Sequence, residues 1–326
     1  MQNLLITGGL GYIGSKFIES FSENYNIYIL DTRLYEKKNT ENFKIINKDI
    51  RDIQITDIEN MDLIVHMSEL SNDPLGELNK DLTTKINHLA TKKLLDLCNN
   101  SSVKKVIYMS SCSVYGKNEN LVDELSSVSP LTSYSRSKVA NEEYIQNNTF
   151  SFETIIFRNA TVYGYSKNLR LDLVINELSY DGFTTGKINL LSDGSPKRPF
   201  VHVFDLVNII NIFLKSNKNF DKEVFNVGSN DLNYSIKEVA LTIGKILETE
   251  NIYFGEKDED QRSYYVDFSK LFKTMENLKM KYNLEDGITD LLENFENHEF
   301  DNNTKRIKKI NFLLDEKLLD LELRWQ

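Results

Sequence analysis

Tyr134 and Lys138 stand at i and i+4 within Ser133–Gln146, a stretch whose apolar and small residues recur at helical spacing after Pro130. One helical face therefore presents a phenol and an ammonium together. A nearby ammonium favours the phenolate and lowers a pKa that is ordinarily ~10. A phenolate of that kind can serve as a general base near neutral pH. Ser111 closes the strand-like run Val106–Ser110, which puts a hydroxyl at a strand end. A lone Tyr-xxx-Lys pair is common by chance, so its meaning depends on what else the chain supplies.

The glycines supply it. The chain has 326 residues and 14 glycines, where average usage of ~7% would give about 23. Gly8, Gly9, Gly11 and Gly14 nevertheless crowd into Thr7-Gly8-Gly9-Leu10-Gly11-Tyr12-Ile13-Gly14. This loop follows a first strand and opens a first helix. Glycines there let the backbone turn tightly and approach a pyrophosphate, whose charge sits on the free N–H groups at the helix N-terminus, Tyr12 and Ile13 included. Asp31 ends the second strand about 20 residues later, the place of a carboxylate that accepts from ribose hydroxyls and repels a 2′-phosphate. The cofactor expected is NAD, whose positive nicotinamide ring would also favour the Tyr134 phenolate. Arg33 nearby could pair with a 2′-phosphate and keeps NADP open. Asp49 and Ile50 either hold the adenine edge or simply form a turn.

These residues need a frame that brings them to one edge. Leu4–Thr7, Ile27–Leu30, Phe43–Ile46, Leu63–His66, Val106–Ser110 and Thr154–Arg158 read as strands, and helical patterns such as Tyr12–Glu23 and Leu82–Cys98 lie between several of them. Strands alternating with helices are parallel strands joined by crossovers, and such sheets are covered on both faces. The fold class expected is α/β: a Rossmann-type doubly wound parallel sheet over residues 1–165, with a smaller mixed α/β substrate-binding domain mainly over 166–326. Segments around 200–228, notably Val201–Leu214 and Val224–Val227, are expected to return to the first domain. Asn303–Gln326 reads as a charged amphipathic helix for packing or an interface.

Composition narrows the partners. Lys and Arg number 39 against 49 Asp and Glu, a formal net charge of −10. That balance argues against nucleic acid or an anionic membrane as the main partner, so an anionic ligand needs a local cationic site. No export segment or apolar ~20-mer is present, and a cytoplasmic protein is expected. Cys98 and Cys112 lack metal-ligand spacing and read as small buried hydrophobes, so no metal is expected.

With TGGLGYIG, NKDIRD, VIYMSSCSVYG, YSRSK, FRNATVYG, RPFVHVFD, FNVGS and EDQRSYYVDFSK in this order, the chain resembles the extended short-chain dehydrogenase/reductase family, in its nucleotide-sugar epimerase and dehydratase branch. The resemblance covers roughly residues 1–275. It implies a tightly bound NAD, a hydrogen-bonding Ser111, a base at Tyr134, an orienting Lys138, and a C-terminal domain that grips a nucleoside diphosphate. Met67 and Ser68 would flank the cofactor, and Asn87 would support the site from the helix after the fourth strand. Arg262 and Arg198 would face the substrate diphosphate. Thr161 stands where typical 4-epimerases carry an Asn that contacts substrate phosphate. Cys112 and Ser113 replace the Asp-Glu pair of the 4,6-dehydratases, so that elimination is not expected. Glu69 replaces a small residue and is expected to face solvent, the alternative being a reach toward substrate or cofactor.

The expected activity is NAD-dependent oxidation at carbon 4 of a nucleotide-diphosphate sugar, hexose or heptose, as a 4-epimerase or a 4-dehydrogenase. The alternatives are a 4-keto nucleotide-sugar reductase and a non-catalytic sensor of NAD or sugar nucleotide; a sensor has no need of a base. By analogy the setting is surface-polysaccharide synthesis. A homodimer is implied in which Leu82–Cys98 and Ser133–Gln146 pair with their mates; Ile86, Leu89 and Leu94 suit that or ordinary packing on the sheet.

Overall fold

A computed structural model describes residues 1–35, 43–256, 263–298, 300 and 304–326. The chain opens with β1 (Asn3–Thr7), α1 (Tyr12–Phe21), β2 (Asn26–Asp31), β3 (Lys44–Asn47) and β4 (Leu63–His66). It continues through α2 (Asp73–Leu78), α3 (Lys80–Thr83), a π-helical stretch Thr84–Leu89 and α4 (Ala90–Cys98). Next come β5 (Lys105–Ser111), β6 (Leu121–Val122), α5 (Ser133–Asn147), β7 (Glu153–Asn159), β8 (Thr161–Tyr163), α6 (Val174–Thr185) and β9 (Ile188–Leu190). Then follow β10 (Lys197–His202), α7 (Val203–Lys215), β11 (Glu223–Val227), β12 (Asn233–Ser235), α8 (Ile236–Ile246) and β13 (Ile252–Phe254). The last elements are β14 (Tyr265–Val266), α9 (Ser269–Thr274), α10 (Leu284–Phe295) and α11 (Arg306–Asp315).

Seven strands form one parallel sheet in the order β11-β7-β5-β4-β1-β2-β3. Successive side chains of a strand point to opposite faces. Leu4 and Ile6 accordingly join one core cluster with Phe17, Phe157, Phe213 and Phe225. Leu5, between them, joins the other with Leu30, Ile64, Leu94 and Ile156. Helices thus cover both faces, the doubly wound α/β class expected from the alternating pattern. β10 pairs with β8 and β12 in a separate small sheet, while β11 extends the large one. A third cluster, with Ile175, Phe200, Val239, Ile243, Ile288 and Leu291, centres the lobe built from α6, α8, α10 and the short strands.

Two details depart from the sequence reading. Leu82–Cys98 is not one regular α-helix: it is α-helical at both ends with the π-helical stretch between, a wider turn often found at functional sites. Among the described residues the tail's α-helix is α11, and its Ile310, Leu313, Leu319 and Leu323 pack with Leu5 and Leu30 on the large sheet rather than in the lobe of α6 and α8. Of the three residues considered for dimer pairing, Ile86 and Leu94 are buried in the chain's own core, and Leu89 is exposed. Among the described residues no helix is long and apolar enough to cross a membrane, and no cluster of His, Cys, Asp and Glu could hold a metal. Cys98 and Cys112 are both buried and free.

Candidate active site

A cavity of about 620 Å³ runs past the C-terminal ends of β1, β2, β4, β5 and β7. Ligands of open α/β sheets bind at these ends. Gly8, Gly11, Tyr12, Ile13 and Gly14 line it from the first βα turn. Gly8 has φ +71°, where a side chain is strained, and a Cβ there would stand 3.0 Å from the Met67 backbone. A Cβ on Gly14 would come within 2.5 Å of the Gly9 carbonyl oxygen, so the helix packs onto its own loop. Asp31 accepts from the backbone N–H of Leu10 at 3.1 Å through Oδ2 and of Arg33 at 2.8 Å through Oδ1, bracing the loop while it faces the cavity. Arg33 does not line the cavity.

Tyr134 is placed by the start of α5. Thr132 accepts from the Ser135 N–H at 3.1 Å while the Ser135 hydroxyl accepts from the Thr132 N–H at 3.0 Å, a reciprocal cap that fixes the first turn. Ser111, at the end of β5, takes the Ser113 N–H at 3.1 Å and sets its hydroxyl beside the Tyr134 phenol. The Lys138 ammonium lies 5.2 Å from the Tyr134 ring centroid and donates to the Met109 carbonyl. Ser111, Tyr134 and Lys138 therefore converge on the cavity that the glycine loop lines.

Glu69 does not face solvent. Its side chain is 3% exposed, pairs with the Lys138 ammonium, and accepts from the Tyr108 hydroxyl at 3.0 Å. Burial raises the Glu69 carboxyl above the ordinary carboxylate range, opposed by the charge and hydrogen bond of Lys138. The expectation for Tyr134 is corrected as well. Burial, followed by the charges of Glu69 and Asp73, raises its phenol well above the ordinary value, against the pull of Ser111 and Arg170. The ammonium expected to favour the phenolate is held by a carboxylate of its own.

Asn87 supports the site from behind rather than from the cavity wall. It is fully buried and does not line the cavity. Its Oδ1 accepts from the Leu70 N–H at 2.8 Å and its Nδ2 donates to the Leu70 carbonyl at 3.1 Å, so it pins the segment that carries Glu69. Asp49 lines the cavity beside Ile50, but its carboxylate caps the turn at Arg51 N and takes the Arg51 guanidinium at 2.6 and 2.9 Å, the turn reading. Met67 and Ser68 line the cavity; their N–H groups donate to the Thr7 hydroxyl at 3.1 and 3.3 Å, and that hydroxyl also meets His66 Nδ1 at 2.7 Å. Burial holds His66 neutral, with a pKa lowered to about 3.

Thr161 on β8 and Arg198 on β10 line the far side. Arg262 lies outside the described residues. The sequence reading missed Arg170, which is buried, grips Asp172 at 2.9 and 3.0 Å, and donates to the Ser71 hydroxyl at 3.2 Å. Burial pushes the Asp172 carboxyl up, but Arg170 outweighs it and leaves the group below its ordinary value. The one signal was a charge alternating with leucines in Asn168-Leu169-Arg170-Leu171-Asp172-Leu173.

The cavity carries the marks of a polar ligand. Buried polar groups in proteins nearly always find partners. Among the described residues, Tyr35 Oη, Ser113 Oγ, Asn159 Oδ1 and Arg306 Nη1 are buried without one, and all four residues line this cavity. A glycine loop opening a helix, a carboxylate at the end of β2 and unsatisfied donors and acceptors along the walls fit a dinucleotide at one end and a polyhydroxylated substrate at the other.

A family model described as the NAD dependent epimerase/dehydratase family matches residues 4–228. A putative UDP-glucose 4-epimerase of Methanocaldococcus jannaschii is 30% identical over 237 residues, 69% of this chain and 76% of its own. The dTDP-D-glucose 4,6-dehydratase of Homo sapiens is 26% identical over 288 residues, 82% of this chain and 78% of its own. Among solved structures, the NAD-dependent NDP-hexosamine 5,6-dehydratase TunA superposes with a TM-score of 0.82 at 22% identity, covering 92% of this chain and 99% of that one. The UDP-glucose 4-epimerase of Thermotoga maritima gives 0.81 at 21%, covering 90% and 99%. At these identities the structures share the fold.

Proposed function

The chain belongs to the NAD-dependent epimerase/dehydratase family, and from that premise we propose that it oxidises carbon 4 of the sugar in a nucleoside diphosphate sugar, as a 4-epimerase or 4-dehydrogenase in surface-polysaccharide synthesis. The observation that carries this reading is the convergence of Ser111, Tyr134 and Lys138 on the cavity lined by the glycine loop. The names of relatives, a UDP-glucose 4-epimerase and a dTDP-glucose 4,6-dehydratase among them, support the substrate class.

NAD, when bound, supplies the two-electron acceptor. Gly8, Gly11, Tyr12, Ile13, Gly14 and Asp31 would hold its adenosine diphosphate half, with Met67, Ser68 and Lys138 toward the other end. The rest falls to the chain itself. The Tyr134 oxygen takes the proton of the sugar hydroxyl, and the Ser111 hydroxyl donates to the same oxygen and keeps it in reach. Burial and the Glu69 charge hold the Tyr134 phenol up, and the Ser111 hydroxyl and the Arg170 charge work against them. Lys138, anchored by Met109 and Glu69, cannot swing away from the phenol. Thr161 and Arg198 on the far wall would face the sugar and its diphosphate. Cys112 is buried with its thiol on the Arg158 carbonyl, and Ser113 follows it, so the carboxylate pair of a 4,6-elimination is missing there.

The test has two steps. Denaturing the purified protein and identifying the released nucleotide should yield NAD or NADH near one per chain. Incubation with a panel of UDP- and dTDP-sugars should then give a product altered at carbon 4, lost in Tyr134→Phe. A protein that turns over no member of the panel, or turns one over equally well as Tyr134→Phe, contradicts the reading.

A further inference from the structure

The C-terminal segment crosses from one wall of the cavity to the other. On the lobe side the Thr304 carbonyl accepts from the Leu171 N–H at 2.7 Å, and Lys305 pairs with Glu177 at 2.7 Å. On the side of the large sheet Trp325 donates to the Thr32 carbonyl at 2.6 Å, directly after Asp31. Arg324 pairs with Asp52, and Glu322 with Arg51 at 3.1 Å and Lys85 at 2.8 Å. Between these anchors the segment contributes Arg306 and Leu323 to the lining, near Asp31, Leu34, Tyr35 and Ile50.

Arg306 is an odd residue to bury. It is 3% exposed, its guanidinium lies 3.7 Å over the centroid of the Tyr35 ring, and among the described residues it forms no ion pair, although the Asp172 and Asp31 charges lie close enough to favour its cation. Its Nη1 and the Tyr35 hydroxyl are both without a hydrogen-bond partner. A buried charge without a partner is costly, and guanidinium forks suit phosphate. Burial lowers the Arg306 pKa to about 10, which still leaves it charged at neutral pH. The adjacent Arg170 is already occupied by Asp172. The N-terminus of α1 lines the same cavity and offers an anion its free N–H groups.

We propose that Arg306 is a cofactor-binding residue: the C-terminal segment delivers its guanidinium to the diphosphate of the dinucleotide and clamps the adenosine half in place. This rests on the reading that the dinucleotide occupies this cavity. A 2′-phosphate is the other phosphate that could meet Arg306, but it would stand against the Asp31 carboxylate. The clamp gives the tail a role beyond packing, and it makes the cofactor slow to leave.

The test is equilibrium binding of NAD, NADP, ADP and adenosine to cofactor-stripped, full-length wild-type, Arg306→Ala and Arg306→Lys proteins. Loss of a charge-assisted contact predicts Kd values for NAD and ADP raised about 10- to 100-fold in Arg306→Ala, with adenosine changed less than about twofold. Arg306→Lys keeps the charge and loses the fork, and should fall between. Should Arg306→Ala not fold, Arg306→Lys decides alone, since unchanged ADP affinity in it overturns the clamp. Equal losses for adenosine and ADP would make Arg306 a structural residue, and a loss confined to NADP would move it to the 2′-position; either overturns the proposal. Failure of the wild-type protein to bind NAD or ADP instead overturns the occupancy reading on which the clamp stands.

Discussion

On the proposed reading Tyr134 is the base, and the Glu69 carboxylate adds to burial in holding its phenol up. Tyr134→Phe removes the proton acceptor and should lower turnover by at least about 10²- to 10⁴-fold, while NAD affinity by titration stays within a few-fold. A second expectation concerns pH. A carboxylate near a phenol disfavours the phenolate and raises its pKa, so Glu69→Gln should lower it, the more so because Lys138 then keeps its full charge. The acidic limb of the kcat profile should therefore move to lower pH in Glu69→Gln. An unmoved limb would show that the pair only anchors Lys138. This residue was invisible in the sequence for a physical reason. A single Glu in Met67-Ser68-Glu69-Leu70 has the look of a solvated side chain, and the partner that permits its burial comes from α5 through the tertiary fold.

At the level of elements, the first βα turn and the α5 face were recoverable because their signals are local. Glycine crowding, a strand before it and a helix after it occur within fifteen residues or so of chain, and Tyr134 and Lys138 share a face by spacing alone. Gly14→Ala tests the turn: its Cβ would press on the Gly9 carbonyl, so NAD affinity and Tm should both fall, whereas an unchanged Tm would deny the close approach. The π-helical stretch was not recoverable: Asn87 within it meets Leu70, and Asn141 donates to the Asn87 carbonyl at 2.7 Å, partners that no local pattern marks. Behind the site, Arg158 on β7 holds Glu142 on α5 at 2.7 Å, both buried, and Glu142 also takes the Ser110 hydroxyl. Arg158→Ala leaves that carboxylate unpaired and should cost about 3–5 kcal/mol of stability, read as a lower Tm.

Across the whole molecule, a chain of net charge −10 must gather its cations locally to hold an anionic ligand. Arg170, Arg198 and Arg306 line one cavity, Arg170 with its charge held by Asp172, although only Arg198 stood out in the sequence. Arg306 sits in the basic run Lys305-Arg306-Ile307-Lys308-Lys309, which has the pattern of a solvated helix face. Its burial depends on Tyr35 and on a tail that returns across the molecule to Thr32, a contact that no local pattern encodes. The doubly wound sheet, by contrast, follows from β-branched runs alternating with amphipathic stretches, which is why its strands were placed to within a residue at most ends. On the proposed reading, the two lobes and the C-terminal segment between them hold a cofactor that stays while substrates change. The measurement that bears most directly on that account is a kinetic isotope effect on a nucleotide sugar that turns over. Deuterium at carbon 4 should slow its conversion about two- to sixfold when bond breaking limits the rate, and deuterium at carbon 5 should leave it unchanged. An effect at carbon 5 with none at carbon 4 would contradict oxidation at carbon 4.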